Sequence, residues 1–180
     1  GEFPIRNAVI GAMHILSQEF VMGRDFKDVN KIPDIDESLY SFDMLGEAAR
    51  NQEQANIYYD SYENAILEVG KINRLKNINN GVSIKISALC PSYEMRKYDE
   101  IKLRLIPKLI ALTELGMSKG VEITIDAEEQ DRLGVSLEII KKIAESSKIK
   151  DWPGFGIALQ AYGKRSLDVI EWIKNLINHR

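Results

Sequence analysis

A short apolar segment followed by an amphipathic helix recurs four times along the chain, at a spacing of roughly forty residues. The predicted strands are Leu39–Leu45, Val82–Leu89, Val121–Ala127 and Gly156–Ala161. Because parallel neighbours require a crossover connection, alternating strands and helices predict a parallel sheet. The repeat therefore indicates an α/β fold, either an open doubly wound sheet or part of a (βα)8 barrel.

The chain begins differently from the part that repeats. Apolar residues at helical spacing predict an amphipathic helix from Ile5 to Phe20, and a charged connection that contains Pro33 follows it. We therefore divide the chain into residues 1–38, the helix with its connection, and residues 39–180, the four βα units. Gly154 and Gly156 form a G-x-G, but they precede a strand, so a dinucleotide-binding turn is not favoured.

The composition excludes several kinds of site. The net charge is only −3 and basic residues are mixed with acidic ones, so nucleic acid is not an expected partner. The single cysteine, Cys90, is predicted to be a small buried residue, and the two histidines lie at opposite ends of the chain, which argues against a metal site. No apolar run reaches the roughly 18 residues of a membrane span, so a cytoplasmic location is expected.

Polar residues lie on one face of each predicted strand, toward its carboxyl end. They are Asp43, Lys85, Asp126 and Gln160. Since helices cover the other face, this face must line a barrel interior or a cleft, and α/β barrels build their sites at the carboxyl ends of the strands. Burying an unpaired charge costs several kcal/mol, so these residues predict a ligand site.

Other interpretations of these residues remain open. Asp126 could cap the turn from Ala127 to Glu129, and Lys85 could extend its ammonium group out of the barrel mouth. A lysine on an inner strand could also be the amine nucleophile of a Schiff-base aldolase. A third alternative is a non-catalytic binding module that keeps the fold. Tyr62, on the helix after the first strand, is interpreted as a packing residue.

Four sequence strings at these strands have the order and spacing of one enzyme family. They are YSFDMLGEAA at 40–49, GVSIKISALCPSY at 81–93, ITIDAEEQDRLGVSL at 123–137 and FGIALQAYGKR at 155–165. These strings resemble the proline dehydrogenase domain of the bacterial PutA type. The resemblance implies a parallel (βα)4 half of a TIM-type (βα)8 barrel, preceded by an N-terminal helix. It also implies FAD-dependent oxidation of L-proline to pyrroline-5-carboxylate.

The resemblance assigns roles to individual residues. Lys85 would pair with the carboxylate of L-proline, and Asp126 would lie beside the flavin and the substrate; both would be catalytic residues. Gln160 would hydrogen-bond the isoalloxazine edge of FAD, with Tyr162 as a supporting cofactor contact. Asp43 would support substrate binding.

The resemblance also implies a missing part. The family's later strands supply an arginine pair that contacts the substrate carboxylate, and most of the flavin contacts. We therefore expect this chain alone to bind FAD weakly or not at all and to be inactive without a C-terminal half-barrel. Its open sheet edges predict association with a separately encoded C-terminal half or with a second copy. The complete enzyme is expected in the cytoplasm, or peripheral to the inner membrane.

Overall fold

The computed structural model describes residues 2–17, 21, 23, 26 and 38–178. The chain separates into two compact units, Gly1–Ser38 and Leu39–Arg180. The first unit contains helix α1, Glu2–Ser17, which begins earlier than the predicted helix. Residues 18–20, where that prediction ends, and the connection around Pro33 lie outside the described residues.

The second unit is built on a parallel sheet of four described strands. They are β1 (Ser41–Asp43), β2 (Gly81–Ile84), β3 (Glu122–Ile125) and β4 (Phe155–Ile157). Their order in the sheet is their order in the chain, and each neighbouring pair is parallel. A doubly wound sheet would reverse its strand order at a switch point. The (βα)4 half-barrel is therefore confirmed as the fold.

Helices connect and cover these strands. They are α2 (Gln52–Lys76), α3 (Ile86–Leu89), α4 (Tyr98–Lys119), α5 (Leu133–Ala144) and α6 (Ser166–Asn178), and a 3-10 turn, Met95–Lys97, precedes α4. The long helices begin and end near the predicted apolar stripes because each stripe packs on the sheet or on a neighbouring helix. The core lies between the sheet and these stripes, where Ile84 and Ile123 are fully buried.

The strands are shorter than the sequence predicts, and β2 shows the reason. Val82 and Ile84 alternate with Ser83 as in a half-buried strand, but Ile86–Leu89 forms helix α3. All four residues of α3 are buried, so the apolar and small residues that imitate a continued strand instead fill a helical turn. The prediction of a strand to Leu89 was therefore wrong.

The fourth strand is also shorter than predicted. β4 ends at Ile157, whereas the predicted strand extended to Ala161. Ala158 still donates its N–H to Ile125 O at 2.8 Å, but the regular pairing of β4 with β3 stops there. Gln160, like Lys85 and Asp126, therefore lies just after the carboxyl end of a strand.

Candidate functional site

Lys85 lies between two carboxylates at the carboxyl ends of β1, β2 and β3. Its Nζ donates to Asp43 Oδ2 and lies 3.1 Å from Asp126 Oδ2. The lysine side chain is 15% exposed, that of Asp126 27% and that of Asp43 49%. We call these three residues the lysine–aspartate cluster. The structure thus brings together three of the residues that the sequence selected.

The backbone of β2 and its neighbours holds this cluster in place. Asp43 pairs in register with Ser83, and Asp126 donates its N–H to Ile84 O at 2.9 Å. Lys85 donates its own N–H to the hydroxyl of Tyr62 at 3.1 Å. Each side chain of the cluster therefore projects from a backbone position that the sheet or a helix fixes.

Tyr62 does more than the packing that the sequence suggested. It is 1% exposed, and burial raises the pKa of its hydroxyl to about 12, although the Lys85 N–H opposes that shift. A buried tyrosine hydroxyl requires a hydrogen-bond partner, and here that partner is the residue at the end of β2. The sequence signal for this role was a tyrosine on the apolar face of the predicted helix, because a buried hydroxyl needs a hydrogen-bond partner.

The ammonium group of Lys85 remains protonated in this setting. Burial by itself would lower the pKa of Lys85, but the hydrogen bonds and charges of Asp43 and Asp126 outweigh it, and the pKa is raised. The cluster therefore contains a charged ammonium group whose position is fixed by a carboxylate on each of two sides.

A second set of contacts ties the neighbouring loops together. Ser87, in α3, accepts from the N–H of Ala48 at 3.0 Å and donates its own N–H to Glu128, at 3.0 and 3.3 Å from the two carboxylate oxygens. Burial raises the pKa of Glu128, although the hydrogen bonds from Ser87 oppose that shift. Sequence reasoning missed Ser87 and Glu128. They join the loops after β1 and β3 to α3.

The geometry bears on both alternative roles of Asp126 and Lys85. Asp126 Oδ1 accepts from the N–H of Ala127 at 2.9 Å, so the residue caps its turn in addition to contacting Lys85. The ammonium group of Lys85 lies between carboxylates and is not directed into solvent. The geometry therefore disfavours an ammonium group that simply extends into water.

Gln160 and Tyr162 follow β4, next to the cluster's strand β3. Gln160 Oε1 accepts from Gln130 Nε2 at 2.9 Å. Among the residues that the structure describes, Gln160 forms no hydrogen bond to the lysine–aspartate cluster. Tyr162 is 84% exposed. The segment after the fourth strand thus offers an amide and an exposed aromatic ring.

Among the residues that the structure describes, no group of three His, Cys, Asp or Glu side chains is arranged to hold a metal ion. None of the described helices is both long enough and apolar enough to cross a membrane.

Comparison with known proteins identifies the family. Residues 27–180 match the family model described as proline dehydrogenase. The chain belongs to the proline dehydrogenase family. It is 38% identical, over 98% of its length, to the bifunctional protein PutA of Escherichia coli (strain K12), and 36% identical, also over 98%, to that of Rhizobium meliloti. The chain spans 14% of the length of each of these relatives.

Solved structures agree with this assignment. A crystal structure of a Bradyrhizobium japonicum proline utilization A (PutA) mutant has a TM-score of 0.81 at 35% identity, covering 98% of this chain and 18% of that one. The PutA of Bdellovibrio bacteriovorus inactivated by N-propargylglycine has a TM-score of 0.87 at 22% identity, covering 97% of this chain and 20% of that one, and supports the fold alone. The predicted PutA-type proline dehydrogenase domain is therefore confirmed.

Proposed function

We propose that this chain forms the amino-terminal half of the barrel of an FAD-dependent proline dehydrogenase, which oxidises L-proline to pyrroline-5-carboxylate. The observation that carries the proposal is Lys85, held between Asp43 and Asp126 at the carboxyl ends of three consecutive parallel strands. Membership of the proline dehydrogenase family supports the choice of substrate.

In this proposal Lys85 binds the carboxylate of L-proline. A protonated amine that is 15% exposed is partly desolvated, which strengthens its attraction to an incoming carboxylate. Asp43 and Asp126 fix the direction of the ammonium group and keep it charged before the substrate arrives. Asp126 is assigned a place beside the bound proline and the cofactor, which is the role that the resemblance implies.

The residues after β3 and β4 fit one edge of a flavin. Gln160 uses its amide oxygen on Gln130, so its amide nitrogen is available to donate to a ring carbonyl or nitrogen. The exposed ring of Tyr162 suits a flat aromatic group. We therefore assign Asp126, Gln160 and Tyr162 to the cofactor. When bound, FAD supplies the hydride acceptor.

In this proposal the complete site requires more strands than the four that the structure describes. β1 and β4 are the edges of the described sheet, and each edge presents unpaired backbone groups. We propose that a C-terminal half-barrel pairs with both edges and supplies the remaining substrate and flavin contacts. The chain alone is then inactive. Pairing with a second copy is the alternative, and sedimentation of a stable monomer at micromolar concentration would argue against it.

The raised pKa of Lys85 weighs against the aldolase alternative. A Schiff-base lysine must lose its proton to attack a carbonyl, and such lysines have lowered pKa values. Here the two carboxylates hold the proton on the amine. The geometry therefore supports a carboxylate-binding role for Lys85 over a nucleophilic one.

The direct test is reconstitution. The chain is mixed with FAD and the C-terminal half of a proline dehydrogenase barrel from the Escherichia coli relative, and bound flavin absorbance and L-proline-dependent dye reduction are measured. We expect both signals from the mixture and neither from the chain alone. Lys85→Met should then lower kcat/KM for L-proline on the order of 100-fold, because a desolvated charge pair with the substrate is lost.

A matched variant controls for the loss of a lysine. Lys71→Met removes an amine whose side chain is 60% exposed and pairs with Glu68 within α2, so activity should be unchanged. Full activity in Lys85→Met would refute the role of Lys85. Trapping of Lys85 by borohydride with a carbonyl compound would favour the aldolase. Absence of flavin and of trapping would favour a non-catalytic module.

A further inference from the structure

A cleft of about 520 Å³ lies between the start of α2, the segment after α3 and the first half of α4. Its walls come from Gln52, the segment 89–92, and residues of α4 on the side facing that segment. We call it the α4 cleft. None of the three residues of the lysine–aspartate cluster is among the described residues that line it, so the cleft is separate from the proposed proline site.

The floor of the α4 cleft is apolar. Leu89, Ile101 and Leu105 contribute side chains that are 1–3% exposed, and Pro91 and Cys90 are half-buried beside them. A volume of this size is within the range of pockets that hold small molecules. The floor therefore fits the apolar body of a small organic ligand.

The rim of the cleft carries three cations and one carboxylate. The cations are Lys97, Arg104 and Lys108, and the carboxylate is Glu100, which lies 3.4 Å from Arg104. The chain as a whole has a net charge of −3, so a lining with more cations than anions is a local reversal of its charge. Such a concentration of positive charge attracts anions.

Neutral groups hold the two lysines in place. Lys97 Nζ donates to Ser92 Oγ at 2.8 Å. Lys108 Nζ donates to Asn56 Oδ1 at 3.1 Å and lies 5.5 Å from the ring centroid of Tyr59. In the part of the chain that the structure describes, neither lysine forms an ion pair. Both ammonium groups are therefore positioned without being neutralised, as in a site prepared for a charged ligand.

We propose that the α4 cleft binds a small organic anion, whose carboxylate or phosphate lies among Lys97, Arg104 and Lys108 and whose apolar body rests on Leu89, Ile101 and Leu105. The cations supply charge-assisted hydrogen bonds, and Arg104 can donate two parallel ones. The apolar floor supplies the remaining affinity by removing the ligand's body from water. This site does not depend on the proposed dehydrogenase activity.

Cys90 makes the proposal testable, because it is the single cysteine of the chain and lines the cleft. Phenyl phosphate, benzoate and benzyl alcohol share an aromatic ring and differ in charge. We expect calorimetric affinity to fall in that order, with benzyl alcohol about tenfold or more below phenyl phosphate, since a hydrogen bond to a charged group is worth more than a neutral one. Phenyl phosphate should also slow alkylation of the Cys90 thiol by iodoacetamide.

Matched variants separate this site from general charge attraction. Lys97→Gln and Lys108→Gln should each weaken phenyl phosphate binding about tenfold, whereas Lys108→Arg should retain binding. Lys102→Gln removes an exposed cation from α4 that does not line the cleft, and should have no effect. Equal binding of benzyl alcohol, an equal loss in Lys102→Gln, or alkylation of Cys90 unaffected by phenyl phosphate would each overturn the proposal.

Discussion

The two ends of the sheet are held together by different chemistry. At the amino end, Asn73 Nδ2 donates to Asn80 O at 2.9 Å and to Gly120 O at 2.8 Å, and Asn73 Oδ1 accepts from the Asn80 N–H at 3.0 Å. Asn73 is 5% exposed and Asn80 is fully buried. At the carboxyl end, the lysine–aspartate cluster is charged and partly exposed. One end is neutral and closed, and the other is charged and open.

The chemical difference between the two ends indicates that the amino end of the sheet contributes mainly to stability and the carboxyl end mainly to binding. The buried amide of Asn73, whose nitrogen and oxygen both bond backbone groups, stabilises the fold and leaves nothing for a ligand to bind. A partly exposed cation between carboxylates contributes little net stability, because desolvation offsets much of its attraction, but it retains capacity for a ligand. Substitutions at the amino end should therefore change stability, and substitutions at the carboxyl end should change binding.

The largest effect is expected at the amide cluster of the amino end. Asn73→Ala removes three hydrogen bonds and leaves the buried backbone groups of Asn80 without partners. The free energy of unfolding should fall by about 3 kcal/mol, at roughly 1 kcal/mol for each bond. Urea denaturation of the unsubstituted chain and of Asn73→Ala measures this loss in the free energy of unfolding. Asn64→Ala, at an exposed position of the same helix, is the control, and an equal loss there would remove the contrast between the two ends.

A smaller effect is expected where a helix approaches the sheet. A Cβ at Gly116 of α4 would lie 2.5 Å from Ile123 Cγ1 and 2.9 Å from Val121 O, so Gly116→Ala should cost about 2 kcal/mol through overpacking. Gly134, at the start of α5 on the carboxyl side, meets only Met95 Cε at 3.5 Å. Gly134→Ala should instead stabilise by about 0.5 kcal/mol, because alanine favours a helix.

Thermal unfolding of both glycine variants provides the comparison. The two variants add the same methyl group, at a tight contact in Gly116→Ala and at a loose contact in Gly134→Ala. Opposite changes in stability would therefore support the difference between the two ends of the sheet. Stabilisation in Gly116→Ala would show that α4 can move away from β3, and would contradict the close packing of the amino side.

The smallest effect is expected at the lysine–aspartate cluster. Lys85→Met should change the free energy of unfolding at neutral pH by about 1 kcal/mol or less, since its carboxylate partners are partly exposed. The folded pKa of Lys85 is raised above 10.5, so the lysine's contribution is fully present below pH 10.5 and is lost as pH rises through the folded pKa.

Urea denaturation across pH 8 to 11 would measure this contribution. The difference between the unsubstituted chain and Lys85→Met should be constant at the lower pH values and shrink toward the highest. Lys71→Met, at an exposed position of α2, controls for the general titration of lysines. A difference that grows with pH would mean that the folded pKa of Lys85 is lowered, and would restore the aldolase interpretation.

The sequence by itself determined the order of elements and the residues of the cluster. Four apolar segments separated by amphipathic stripes were sufficient to predict a parallel sheet, and polar residues near the ends of those segments marked Asp43, Lys85 and Asp126. These signals are local, because each depends on residues a few positions apart. The family resemblance, confirmed by the comparison, added the choice of a half-barrel over a doubly wound sheet.

Only the tertiary structure decided where the strands end and what surrounds the site. The turn of α3 replaces the predicted end of β2 because Ile86–Leu89 is buried on all sides, which periodicity cannot distinguish from a strand face. Tyr62 bonds Lys85 across 23 residues of the chain, and Ser87 bonds Glu128 across 41. Contacts of that range depend on how helices pack on the sheet, and no local pattern specifies them.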